Sequence, residues 1–211
     1  MRPPDSWAGA RVTLALTLVT AAAWIFGVLL GFQDWAIGWG AFVPGRFGFD
    51  GAAASAAPVW LTPLTATLLH ANFVHIAFNL LMLVFCGRST ENVLGPVGLT
   101  ILYLIGAYVA AAAQFLVDPL SMMPMIGASG AISAVLGAYA MLFGRNKVRI
   151  ANARVAVWLN ALWLMAAWVG LQLIVGLVVP GLGIAIAAHI GGFLLGVALA
   201  NPLLLLRYRK A

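Results

Sequence analysis

The chain has 211 residues, 64% hydrophobic and 8% charged, with a formal net charge of +6 and a mean hydropathy of +1.06. A soluble domain carries about 25% charged residues, so this composition excludes an ordinary water-soluble enzyme and places the chain in lipid. The basic residues lie between apolar runs rather than in one patch, which excludes nucleic acid as a partner, and the single cysteine, Cys86, excludes an intramolecular disulfide and a multi-cysteine metal centre.

A transmembrane helix needs about 20 apolar residues. Six runs reach or approach that length: about 12–32, 65–86, 97–117, 129–143, 155–178 and 183–206. The first is too long for the apolar part of a signal peptide and no A-x-A-like site closes it, so it reads as a retained span. Between the first two runs lies a long connection, about 33–63, holding Trp35, Trp39, Phe42, Phe47, Phe49 and Trp60. Aromatic residues at that density suit the membrane–water interface, and loops this long usually have a function.

The basic residues set the orientation. With the N-terminus in the cytoplasm, Arg2, Arg11, Arg88, Arg145, Lys147, Arg149, Arg154, Arg207, Arg209 and Lys210 fall inside and Arg46 outside. The expected architecture is therefore an all-α membrane protein. It is a single six-transmembrane-helix bundle over residues 1–211, with N- and C-termini cytoplasmic and the long first loop outside. The compact layout suggests a multi-pass protein of a bacterial-type inner membrane. The basic cluster from Arg145 to Arg154 reads as a topology signal with some attraction to anionic lipid.

The fourth run is unusual. Its 15 residues from Ser129 to Phe143 make about 22 Å of helix, short for a bilayer core of about 30 Å. Its cytoplasmic end is anchored by the cluster at Arg145, so its outer end must start below the surface. The preceding stretch, 118–126, contains Pro119 and Pro124 and must dip inward. Non-helical backbone at that depth has to be buried in protein or line water. Ser129 then heads a recessed helix that water can reach from outside.

Polar residues inside membrane spans are costly and are functional candidates. Here they are mainly His70, His75, Asn79, Gln114, Ser129, Ser133, Asn160, Gln172 and His189. Ser129 sits between Gly127, Ala128 and Gly130, at a helix N-terminus where partial positive charge gathers and free N–H groups suit a developing oxyanion. His189 is at a similar depth on the last run. Gly192 and Gly196 follow on its face, and Ser133 and Gly137 follow on that of Ser129. Small faces let backbones approach closely, as a Ser–His hydrogen bond requires. None of the five acidic residues, Asp5, Asp34, Asp50, Glu91 and Asp118, sits in a span beside His189, so the expectation is a Ser129–His189 dyad rather than a triad. His75 and Asn79 share a helical face with His70 one turn nearer the outside. They act either as interhelical hydrogen bonds or as donors to developing negative charge. The His70-x4-His75 spacing lacks a nearby carboxylate or cysteine, which argues against a metal, and no cofactor is implied. Gln114, Asn160 and Gln172 read as interhelical or interface residues.

Three motifs now resemble the rhomboid family of intramembrane serine proteases. They are H-x4-H-x3-N at His70, His75 and Asn79; G-x-S-G at Gly127–Gly130; and A-H-x-x-G at Ala188, His189 and Gly192. The resemblance implies a rhomboid-like six-helix bundle that cleaves single-span transmembrane proteins within the lipid bilayer, near its outer face. It implies Ser129 as nucleophile and His189 as base. His75, Asn79 and the backbone N–H of Ala128 would stabilise the oxyanion, with His70, Gly127 and Gly130 in support. Two positions depart from the family pattern. Many rhomboids carry a Trp-Arg pair about nine residues before the first motif histidine, where this chain has Leu61-Thr62. Many also carry tyrosine four residues after the nucleophile, where this chain has Ser133, so another group must hold His189 in place. Two other readings compete: a catalytically silent rhomboid-like binder of transmembrane segments, which needs neither Ser129 nor His189, and a small transporter, which predicts internal repeats and midplane ion sites that the chain lacks.

Overall fold

The computed structural model describes residues 7–48, 56–144, 152–178 and 184–209. Arg2, Asp5, Asp50, Arg145, Lys147, Arg149 and Lys210, and the expected start of the last span at Gly183, lie outside the described residues. Among the described residues the regular structure is helical, and the one β-like contact is an isolated antiparallel bridge between Phe42 and Met125. In chain order the helices are α1 (Arg11–Leu29), α2 (Gln33–Gly40), α3 (Thr62–Thr65), α4 (Phe73–Met82), α5 (Arg88–Val117), α6 (Ser129–Phe143), α7 (Ala153–Val178) and α8 (Ile186–Tyr208). Short 3-10 turns link the early ones.

Four stretches among the described residues are long and apolar enough to cross a membrane: Arg11–Leu29, Phe73–Val117, Val155–Ile174 and Ile186–Tyr208. The apolar α6, at 15 residues, is shorter. The run Phe73–Val117 corrects two sequence boundaries. The second span does not start near Thr65. Asn72 accepts a hydrogen bond from the His75 N–H at 2.9 Å and caps α4, so the helix starts at Phe73. Residues 88–96, which fall between the second and third apolar runs, are helical as well. A π-helical turn, Leu83–Gly87, leads straight into α5. That helix is broken only at Gly95, with φ 78° and ψ 170°, a conformation that glycine tolerates best, and Pro96 follows with no N–H to continue the ladder.

The segment around Glu91 is helical and buried because it holds two other elements. The Glu91 carboxylate, fully buried, accepts hydrogen bonds from the N–H groups of Val12 and Thr13 at 2.8 and 2.7 Å and from the Thr13 hydroxyl at 2.7 Å. It thereby satisfies donors that the first turn of α1 leaves open and meets the positive end of the helix dipole. Arg207 of α8 donates to the carbonyls of Glu91 and Asn92 at 3.2 and 2.9 Å. The α1–α5–α8 junction is thus tied by charge-assisted hydrogen bonds.

Helix α6 is the centre of the molecule and is buried along most of its length. The membrane-spanning windows of α1 and α7 are each only 17% buried, which puts both at the periphery. α6 and α8 approach at backbone distance. A Cβ placed on Gly196 would overlap the Ala134 carbonyl oxygen, one on Gly137 the Phe193 oxygen, and one on Gly192 the Gly130 oxygen. In lipid, helices associate through van der Waals packing and hydrogen bonds rather than hydrophobic exclusion, so this contact depends on the missing side chains.

Two outcomes follow. Gly196→Ala is expected to lower stability by about 1–3 kcal/mol through overpacking against backbone. Glu91→Leu, which strands buried donors, is expected to cost about 1–3 kcal/mol, with Glu91→Gln milder. Thermal unfolding in detergent measures both, and wild-type melting of Glu91→Leu would contradict the capping role.

Candidate active site

The segment before α6 is held from two sides. Phe42 and Met125 exchange both backbone hydrogen bonds, at 3.1 and 2.7 Å, and the Gly45 N–H donates to the Ser121 carbonyl at 2.9 Å. On the other side the Gly127 N–H donates to the Ala66 carbonyl at 2.9 Å. The first loop and the turn at Ala66 therefore clasp the non-helical stretch 118–127 and satisfy part of its backbone. Gly127 has φ 106°, a left-handed conformation, and its missing Cβ makes room for His75: an added Cβ would lie 2.6 Å from Nε2 of that ring. The chain turns at Gly127 and enters α6 at Ser129.

The close α6–α8 contact brings Ser129 and His189 together. Ser129 Oγ lies 2.8 Å from His189 Nε2, within hydrogen-bond range. Both are buried, at 7% and 4% exposure. With the hydroxyl donating to Nε2, the ring proton sits on Nδ1, and Nδ1 has no hydrogen-bond partner among the described residues. A serine hydroxyl bonded to an imidazole is the geometry of an activatable nucleophile. The pair borders a small cavity of about 30 Å³, lined also by His75, Gly127, Gln172 and Ala185. That is room for a water molecule. A larger pocket of about 210 Å³ shares Met125, Ile184 and Ala185 with it and extends toward Pro44, Gln114 and Met123.

The other nominated residues are placed as follows. His75 faces the cavity. Asn79 is fully buried and donates from Nδ2 to the His75 carbonyl at 2.8 Å, one turn back on its own helix. Its amide is therefore engaged with α4 rather than turned to the cavity. His70 lies in the bend before α4, not on the helix, because the Asn72 cap sets the helix start. The His70 ring packs edge-on against His75 with centroids 4.9 Å apart, and its carbonyl accepts a hydrogen bond from the Gln33 side-chain amide. The Ala128 residue caps α6 with an αR backbone, and the Gly130 carbonyl lies against Gly192.

Two residues of α7 stand at the site: Trp168, which the sequence reading did not single out, and Gln172, which it read as an interhelical or interface residue. Trp168 is 3% exposed, with its indole edge-on to His189 at 6.2 Å between centroids. Gln172, one turn on, is buried, lines the cavity and has an unpartnered Nε2 among the described residues. The available signal was the i, i+4 pairing of an aromatic and an amide in an otherwise apolar helix. It does not say which way that face points.

A family model described as "Rhomboid domain" matches residues 57–206. The chain belongs to the rhomboid family. Among curated relatives, it is similar to "Rhomboid protease GluP" of Bacillus subtilis (strain 168), 37% identical over 79 residues, which is 37% of this chain and 15% of the relative. It is also similar to "Putative rhomboid protease YdcA" of the same organism, 30% identical over 90 residues, 42% of this chain and 45% of that protein. "Rhomboid-related protein 2" of Mus musculus is 36% identical over 74 residues, 35% of this chain and 24% of that protein. The matched stretch spans less than half the length of each of these relatives. With its apolar helices, this rhomboid is an integral membrane protein.

The tight fit of Gly127 yields a test of the site's construction. Gly127→Ala puts a Cβ against the His75 ring at a left-handed backbone position. It is expected to destabilise the protein by about 1–3 kcal/mol, read from thermal unfolding; an unchanged melting temperature would contradict the fit.

Proposed function

We propose that this rhomboid is an intramembrane serine endopeptidase that cleaves single-span transmembrane proteins. The observation that carries the reading is the 2.8 Å approach of Ser129 Oγ to His189 Nε2 beside a cavity with polar walls. Burial of both groups in one protein-lined cavity, rather than on a lipid-facing surface, supports it further.

The mechanism uses the residues in place. Ser129 Oγ attacks the scissile carbonyl carbon while its proton passes to His189 Nε2. The oxygen of the tetrahedral intermediate takes its charge against His75 and the N–H groups at the start of α6, that of Ala128 included, where the helix dipole is positive. Asn79 joins this set once its amide leaves the His75 carbonyl. Collapse breaks the peptide C–N bond, and His189 returns the proton to the leaving amine. A water then adds to the acyl-enzyme, giving a proton to His189, and Ser129 leaves with that proton restored. His70 supports the ring of His75, while Gly127 and Gly130 keep the approach open. The pocket that shares Met125, Ile184 and Ala185 offers space for a substrate side chain next to the reacting bond.

The topology proposed with this function has six spans in one domain. The run Phe73–Val117 counts as two spans divided at Gly95, and α6 as a recessed one. The bias of the basic residues puts both termini in the cytoplasm, and the site faces the outer side of a bacterial-type inner membrane.

Reconstituted into vesicles with a model single-span substrate, the wild type is expected to cut it. Ser129→Ala and His189→Ala are expected to lose cleavage, and His75→Ala to lose about 10²–10³ in rate. A fluorophosphonate probe should label the wild type and not Ser129→Ala, whether or not the buried Cys86 is replaced. Equal cleavage by Ser129→Ala would end the serine mechanism and leave the silent-binder reading to explain the fold.

A further inference from the structure

A general base needs its ring held in one orientation, yet His189 has few polar tethers. Its Nε2 meets Ser129, and its Nδ1 has no partner among the described residues. Among the described residues no carboxylate fixes the second nitrogen, so the ring must be held by what packs on it. That neighbour is Trp168 of α7, edge-on at 69° with centroids 6.2 Å apart.

Trp168 is itself fixed by contacts on two further helices. Its indole Nε1–H donates to Ser133 Oγ of α6 at 2.8 Å, and that hydroxyl donates to the Ser129 carbonyl at 2.7 Å. Its ring stacks on Phe78 of α4 at 5.4 Å and 14°. A buried indole N–H with a partner and a stacked ring leaves Trp168 little freedom. The hydrogen-bond chain Trp168–Ser133–Ser129 therefore places the wall behind His189 in register with the backbone that carries Ser129.

We infer that Trp168, locked through Ser133, is the positioning residue that holds the His189 imidazole against Ser129. This assignment rests on the hydrolase reading above. It gives α7, otherwise peripheral, a part in the reaction, and it gives the hydroxyl at Ser133 a part other than helix packing. A shift of about 1 Å in a catalytic group costs on the order of 10²-fold in rate, which sets the expected effect.

The test uses the full chain in detergent or vesicles with a fluorophosphonate probe and a model single-span substrate. Trp168→Ala is expected to slow the labelling rate constant and kcat by about 10²-fold, with KM and the final labelled fraction unchanged. Trp168→Phe and Ser133→Ala each cut the same hydrogen bond, so each should slow labelling by a smaller and similar factor. Their combination should be no slower than either alone, as expected of coupled partners. A lower final labelled fraction with an unchanged rate constant would mean that Trp168 only helps the protein fold, and would overturn the assignment. So would wild-type labelling by Trp168→Ala, or strict additivity of the two milder variants. If Trp168→Ala does not fold, the Trp168→Phe and Ser133→Ala pair decides by the same criteria. An inert wild type would remove the hydrolase reading and this assignment together, whereas an active wild type with indifferent Trp168 variants would remove this assignment alone.

Discussion

The contact on which the rest depends is the backbone-to-backbone approach of α6 and α8. Gly137, Gly192 and Gly196 each sit where any Cβ would meet a carbonyl oxygen of the facing helix. Lipid offers no hydrophobic gain for pushing two apolar helices together, so close packing of small residues is what draws them in. At that separation a short serine side chain on one helix and an imidazole on the other span the gap, and Ser129 and His189 lie 2.8 Å apart. Bulkier faces would hold the helices further apart, and the same two side chains would not meet.

Around this contact the chain deals with buried polar groups in two ways. Some are satisfied: Glu91 collects the free donors of α1, Arg207 binds carbonyls at the start of α5, and the first loop pairs with the stretch 118–127. At the cavity several are left open, among them Nδ1 of His75, Nδ1 of His189 and Nε2 of Gln172. Unpaired buried groups are expensive, and those on His75, His189 and Gln172 leave the cavity able to receive a polar guest.

The rhomboid domain thus combines a rigid centre with a more exposed rim. α6 is enclosed, while α1 and α7 present most of their surface outward. α7 reaches the site through Trp168, edge-on to His189, and Gln172, which lines the cavity.

Composition and hydropathy alone settled that the chain belongs in a membrane and is helical, because the cost of burying unpaired backbone in lipid leaves few alternatives. The three short motifs pointed to the family and nominated Ser129, His189 and their neighbours, since polar groups are rare in apolar runs and stand out by chemistry. Helix limits were less legible. Asn72 is a readable cap, yet its effect on the start of α4 and on the place of His70 was hidden inside a continuous apolar run, and the helical stretch around Glu91 fell between two apolar runs because the donors it binds are some 78 residues away. Only the tertiary structure decided which way the faces of α7 point, that the amide of Asn79 turns back on its own helix, and that an indole stands behind the imidazole. Those outcomes depend on the rotation and separation of packed helices. These are set jointly by many side chains on different segments and leave no local signature in any one of them.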